Sequence, residues 1–160
     1  MAISLTTRKR LHTQGFAEVS DNDLASVEPW LRFTPALCGL IVAAGTLMAE
    51  PWVFFALAPI AAAGAVFPVH PFDLAYNYGL RRLTGTPPLP SNGRPRRFAC
   101  GVASVWILAI GISFAVGAPA AGYLLGALMA AVATLVATTH ICIPSMVYRA
   151  AFRRAATRPA

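Results

Sequence analysis

Residues 98 to 148 contain no Asp, Glu, Lys or Arg, and this uncharged run of 51 residues constrains the fold more than any other feature. As one straight helix it would be roughly 75 Å long at 1.5 Å per residue, well beyond the thickness of a bilayer. It must therefore fold back on itself. The corner falls at Ala118-Pro119, because proline opens helices and breaks their interiors. Phe98 to Gly117 and Ala120 to Ile143 then become two membrane spans, the second ended or kinked by Pro144.

The first half repeats this plan. Residues 33 to 72 carry a single charge, Glu50, and Glu50-Pro51 makes a second corner. Thr34-Pro35 reads as an N-cap and first helical residue. One span runs from about Pro35 to Ala49 and the next from Pro51 to about Phe67, with a kink expected at Pro59. Both are short for a crossing, so Trp30 and Phe33 are expected to extend the first through the interface. Thinning of the bilayer would serve the same end.

The chain has 13 Lys and Arg. Arg8, Lys9, Arg10 and Arg32 precede the first span. Arg81, Arg82, Arg94, Arg96 and Arg97 lie between the hairpins. Arg149, Arg153, Arg154 and Arg158 follow the last span, and neither corner has any. Four spans put all of them on one face, which the positive-inside rule makes cytoplasmic. The expected location is the inner membrane with both termini in the cytoplasm. The first 33 residues are polar and do not read as a cleavable signal peptide. The net charge of +7 thus reads as attraction to anionic headgroups, with Arg81, Arg82, Arg96, Arg97, Arg149, Arg153 and Arg154 facing lipid. No nucleic-acid-binding motif accompanies it. With 57% hydrophobic and 12% charged residues, a soluble globule, a disordered chain and a secreted disulfide scaffold are all disfavoured.

The fold class is therefore all-α: a polytopic membrane protein of four helices arranged as two hairpins. The divisions are a tail at 1–33 with a short helix, hairpins at 34–67 and 98–143, a cytoplasmic segment at 68–97 and a basic tail at 144–160. Ser20 with Asp23 predicts the N-terminus of the short helix. Short matches relate the halves as a parallel repeat. Phe33 precedes Cys38-Gly39 as Phe98 precedes Cys100-Gly101. Tyr76 stands before Arg81-Arg82 as Tyr148 stands before Arg153-Arg154, and Pro87 and Pro159 follow at matching intervals.

The cytoplasmic segment opens with His70-Pro71-Phe72-Asp73. Phe72, Tyr76, Leu80 and Leu83 share one helical face, with Asp73, Asn77 and Arg81 opposite. This pattern predicts an amphipathic helix on the membrane surface. A stiff, Pro-rich stretch, Thr84 to Pro90, follows. The run HPFDLAYNYGLRRLTGTPPLP, with RPRRFACG after it, resembles a family of small bacterial integral membrane proteins known only as a domain of unknown function. The likeness covers roughly residues 30 to 150. It implies a membrane protein and adds no activity.

Gly122, Gly126, Ala130, Thr134 and Thr138 recur every four residues along the last span, a small-residue stripe for helix packing or for a partner. Candidate chemistry is confined to Cys38, His70, Asp73, Cys100, His140 and Cys142, all expected near the cytoplasmic face. These could serve thiol exchange or a metal. His140 and Cys142 would point apart on a continuous helix, so a shared metal requires unwinding before Pro144. Buried cysteines also serve as plain small hydrophobes. No catalytic motif is present and no cofactor is indicated. The leading expectation is a non-enzymatic accessory or scaffold subunit, binding lipid and another membrane protein or a second copy of itself. The alternatives are a membrane thiol or metal protein and a small oligomeric transporter.

Overall fold

A computed structural model describes residues 3–156, with side chains as far as Phe152. Arg158 and Pro159, and the side chains of Arg153 and Arg154, lie outside the described residues. The described chain is all helical. Three helical stretches are long and apolar enough to cross a membrane: Trp30–Met48, Arg94–Ala115 and Pro119–Thr139. The first is a 3-10 turn, Trp30–Arg32, running into α3, Phe33–Met48. The others are α7, Arg94–Ala115, and α8, Pro119–Thr139. The fourth bundle helix, α4 at Pro51–Val66, is only 16 residues long. It bends by 87° into the helical stretch Pro71–Thr84.

Both corners are built by the residues expected there. Ala49 ends α3 in the left-handed region, and Glu50 accepts the Trp52 N–H at 3.3 Å before Pro51 opens α4. Gly117 turns with a φ of 76° and Pro119 opens α8. Two expectations fail locally. Thr34 lies inside α3, because the helical path already begins at Trp30, and its hydroxyl is used elsewhere. Pro59 lies within an unbroken α4, and the sharp bend comes at residues 67 to 70.

In the bundle, α4 packs on α7 and α3 packs on α8 more extensively than either hairpin packs internally at α3–α4. Each large contact joins the second helix of one hairpin to the first helix of the other, as a parallel repeat requires. Val42, Phe54, Leu57, Ala58, Ala61, Ile107, Ile110 and Met129 form this core. Inside a bilayer, lipid tails compete equally for apolar surface, so helices associate through close fit. Gly126 supplies it: a Cβ there would run into Thr46 of α3. A Cβ at Gly122 would meet the Phe114 ring. The stripe then leaves the strict four-residue spacing and continues as Met129 and Ala133, while Thr134 and Thr138 are exposed. Four residues advance 40° beyond a full turn, so a spacing of four walks around the helix. The Thr134 and Thr138 hydroxyls donate to their own helix, to Ala130 O and Thr134 O at 2.8 Å each.

A cap closes one end of this bundle. It consists of α1 (Leu5–Gln14), α2 (Asp21–Val27), the stretch Pro71–Thr84, the Pro-rich loop and α9 (Ile143–Ala156). Ser20 accepts from Asp23 N–H to start α2. Leu11, Phe16, Leu24, Val27, Leu31, Tyr76 and Leu89 form a second core under it. Gly15 allows the cap to close. With φ 111° it lies so near Gly93, just ahead of α7, that a Cβ on either residue would clash.

The stretch Pro71–Thr84 departs from a simple surface helix. It comprises α5 (Pro71–Ala75), a π-helical turn at Tyr76–Leu80 and α6 (Arg81–Thr84). The wide turn breaks the face that Phe72, Tyr76, Leu80 and Leu83 were expected to share. Tyr76 is fully buried against Trp30 and Phe33, whereas Leu80 and Leu83 are exposed. Asp73, expected on the polar side, is buried as well.

Candidate functional site

The four bundle helices reach the cap through a set of arginines. In an α-helix the last carbonyls lack partners and carry the negative end of the dipole. Arg97 donates from Nε to Ala65 O at 3.0 Å and from Nη2 to Val66 O, capping α4. Arg32 donates to Ala137 O and Thr138 O at 3.2 and 2.8 Å, capping α8. Arg32-Phe33 and Arg97-Phe98 open the two hairpins, so equivalent residues do equivalent work. Arg10 adds a bond to Thr139 O at 2.8 Å, and Gln14 adds one to His140 O at 2.8 Å. Arg149 donates to His12 O, tying α9 to α1. Arg97 and Arg149, read from the sequence as lipid-facing, are thus spent on protein carbonyls. Arg96 departs further from that reading, since it is buried with 7% exposure. Arg82 is exposed and Arg81 half-buried.

Beneath the cap lies a cavity of about 140 Å³. Cys38 of α3, Cys100 of α7 and Cys142 of the α8–α9 link all line it, as do His70 and Arg96. All three cysteines are free. The walls toward the bundle are apolar and include Ala61, Trp106, Met129 and Ala133. The positions follow from the fold. Cys38 and Cys100 sit near the starts of helices that both rise from the capped end. Cys142 lies where α8 has already ended, held by the Ser145 hydroxyl at 3.1 Å.

Asp73 organises the polar rim. Its Oδ1 accepts from the Thr34 hydroxyl at 2.6 Å, and its Oδ2 accepts from Asn92 Nδ2 at 3.2 Å. Arg96 Nη2 stands 3.9 Å from Oδ1, a loose ion pair. One face of the Arg96 guanidinium lies over the Phe16 ring at 5.2 Å. His70 is the N-cap of α5, its Nδ1 accepting from Phe72 N–H at 3.2 Å. Nδ1 is therefore unprotonated. Gly64 makes room for that ring, since a Cβ there would occupy the same space.

His140 takes no part in the chamber. The helix does unwind before Pro144, but His140 turns in the left-handed region and pairs its Nε2 with Glu28 at 2.7 Å. Burial holds His140 below its ordinary pKa, against the opposing pull of Glu28. Burial raises Glu28, but hydrogen bonds from Arg32 and His140 outweigh it and bring the carboxyl below its usual value. Among the described residues, no three of His, Cys, Asp and Glu stand close enough together to hold a metal ion. The six candidates thus divide into a chamber set, an organising Asp73 and a cap seam at His140. Nothing local in the chain marks the parts played by Gln14, Thr34, Asn92 and Arg96. Their partners lie up to 126 residues away, as Gln14 and His140 do.

A family model described as Domain of unknown function (DUF4395) matches residues 28–153. This is more than half of the chain, which therefore belongs to that family. No curated protein and no solved structure is significantly similar to it.

Proposed function

We propose that this member of the DUF4395 family is a multi-pass inner-membrane protein that works through its capped chamber, as a thiol-dependent binding protein for a small molecule. One observation carries the reading. Cysteines from three separate segments line a single cavity, together with the buried His70 and Arg96. In the proposed orientation the cap faces the cytoplasm, with both termini there, because the basic residues from Arg8 to Arg154 belong to the segments at that end and neither corner has any. The reducing side keeps the thiols free.

The test compares the wild type with a variant carrying Cys38→Ser, Cys100→Ser and Cys142→Ser. Both are produced in a strain lacking the chromosomal copy. The serine variant should reach the membrane and unfold at a similar temperature, yet fail to restore the phenotype of the deletion. Full restoration would overturn the thiol reading.

A scaffold role is the second reading, and a specific observation favours it. Ala127, Ala131, Thr134 and Thr138 form an exposed row of small residues on α8. Such rows let a partner helix approach closely. Replacing Ala131 by Leu should then dissociate a co-purifying chain while leaving the monomer folded.

A further inference from the structure

Arg96, which lines the chamber, carries a buried donor without a partner among the described residues. The residue is 7% exposed, and the donor is Nη1. Burying a guanidinium with an idle N–H is costly unless something completes it. Asp73 does not complete it. Its nearest approach to Arg96 is 3.9 Å, at Nη2, beyond hydrogen-bond distance. Three other polar groups at the chamber are engaged, while His70 Nε2 makes no hydrogen bond among the described residues and Asn92 Oδ1, beside Asp73, is a buried acceptor without a partner. Gln14 donates to His140 O, the Thr34 hydroxyl donates to Asp73, and His70 Nδ1 accepts from Phe72.

We infer that the chamber binds a small organic anion, with the anionic oxygens on Arg96 and a short apolar body among Ala61, Trp106, Met129 and Ala133. The inference rests on the reading of the chamber as the working part of the protein. The lining is almost wholly apolar, with Arg96 and His70 among the few polar side chains on it. The cavity volume of about 140 Å³ admits a short chain. A planar oxyanion matches the guanidinium fork, and a charge-assisted bond among apolar walls is stronger than its counterpart in water. The ligand then lies beside Cys38, Cys100 and Cys142, which line the same space.

The experiment uses the full-length protein in mild detergent, with butyrate as the probe and butyramide as its neutral counterpart. Two quantities are read: the midpoint of thermal unfolding, and the rate at which N-ethylmaleimide modifies Cys100, followed by mass spectrometry. Butyrate should raise the midpoint saturably and slow the modification, while butyramide does neither. Arg96→Gln should weaken the butyrate effect by about tenfold or more, the loss of one charge-assisted bond. Arg96→Lys keeps the charge without the fork, and should give an intermediate loss. It also serves as the measurement if the glutamine variant does not fold. Equal effects of butyrate and butyramide, or an unchanged butyrate effect in both variants, would overturn the inference. If Cys100 is modified readily but butyrate gives no protection, the anion site fails and the thiol reading stands. If butyrate stabilises through Arg96 while the serine variant restores function, the thiol reading fails and the anion site stands.

Discussion

The bundle core around Phe54 and Ile107 and the cap core around Leu11, Leu24 and Tyr76 are held by different forces. In the cap, apolar side chains leave water, and each large one that is fully buried contributes about 1.5–3 kcal/mol. In the bundle the surroundings are already apolar. There the stabilisation comes from close contact, such as Gly126 on Thr46 and Gly64 on His70, and from carbonyls capped by Arg32 and Arg97. The chamber lies at the boundary between the two. A site placed there can be sealed from water by the cap while its floor remains as apolar as the membrane.

The largest expected effect comes from breaking the cap core. Leu24 is fully buried, and Leu24→Ala should cost about 2–5 kcal/mol, transfer and cavity terms together. A matched substitution at the exposed Leu124, Leu124→Ala, should be close to neutral because lipid faces it before and after. Thermal unfolding in detergent reads both. Equal losses at the two sites would erase the distinction between the cores.

The close-packed core should respond in the opposite sense, to added volume. Gly126→Ala drives a Cβ into Thr46 and should cost about 1–3 kcal/mol by overpacking. Gly79→Ala is its control, since nothing lies within 4 Å of that position. If Gly126→Ala unfolds no earlier than wild type, close approach is not what joins α3 to α8.

Removing a carbonyl cap comes next in size. Arg97→Ala leaves Ala65 O and Val66 O without their donors and should cost about 1–2 kcal/mol. Amide exchange of the segment around residues 63 to 67 should speed up while α8 remains protected. Uniform acceleration across the bundle would contradict a local cap.

Acid should loosen the seam between cap and bundle, with the smallest effect. His140 is held below its ordinary 6.5, so the unfolded chain binds more protons than the folded one. Its contribution is complete above pH 6.5 and is lost as pH falls through its folded value. Glu28, also lowered, adds a second loss below about its ordinary 4.5. Burial lowers His70 as well, to about 4, so both histidines make the unfolding midpoint fall from pH 7 toward pH 5, and His140→Asn should remove part of that decline. A midpoint that rises over this interval would show that the protonated pair is the stable one.

Much of the bundle was legible in the sequence, because charge-free runs and proline corners are local signals. The resemblance carried by HPFD and RRFACG agrees with the family match. The cap was largely hidden. Helix α1 reads LTTRKRLHTQ, a polar segment whose burial of Leu11 and Gln14 depends on residues far along the chain. An arginine that caps a helix end looks the same in sequence as one that meets a headgroup, so the charge pattern alone puts Arg96, Arg97 and Arg149 on the lipid side. The π turn at Tyr76–Leu80 left no local sign and split a face that periodicity had joined. For the site, the cysteines and His70 stood out by residue type. Their meeting in one cavity is a matter of helix packing, which spacing along the chain does not encode.

The meeting of the three thiols can be measured directly. In native membranes, variants that keep two of Cys38, Cys100 and Cys142 and carry serine at the third would be treated with dibromobimane, which fluoresces strongly once it bridges two thiols. Bridging in each of the three pairs, lost when either remaining cysteine is replaced, is the predicted result. Separate labelling of all three without a bridged pair would mean that the cysteines do not share a chamber.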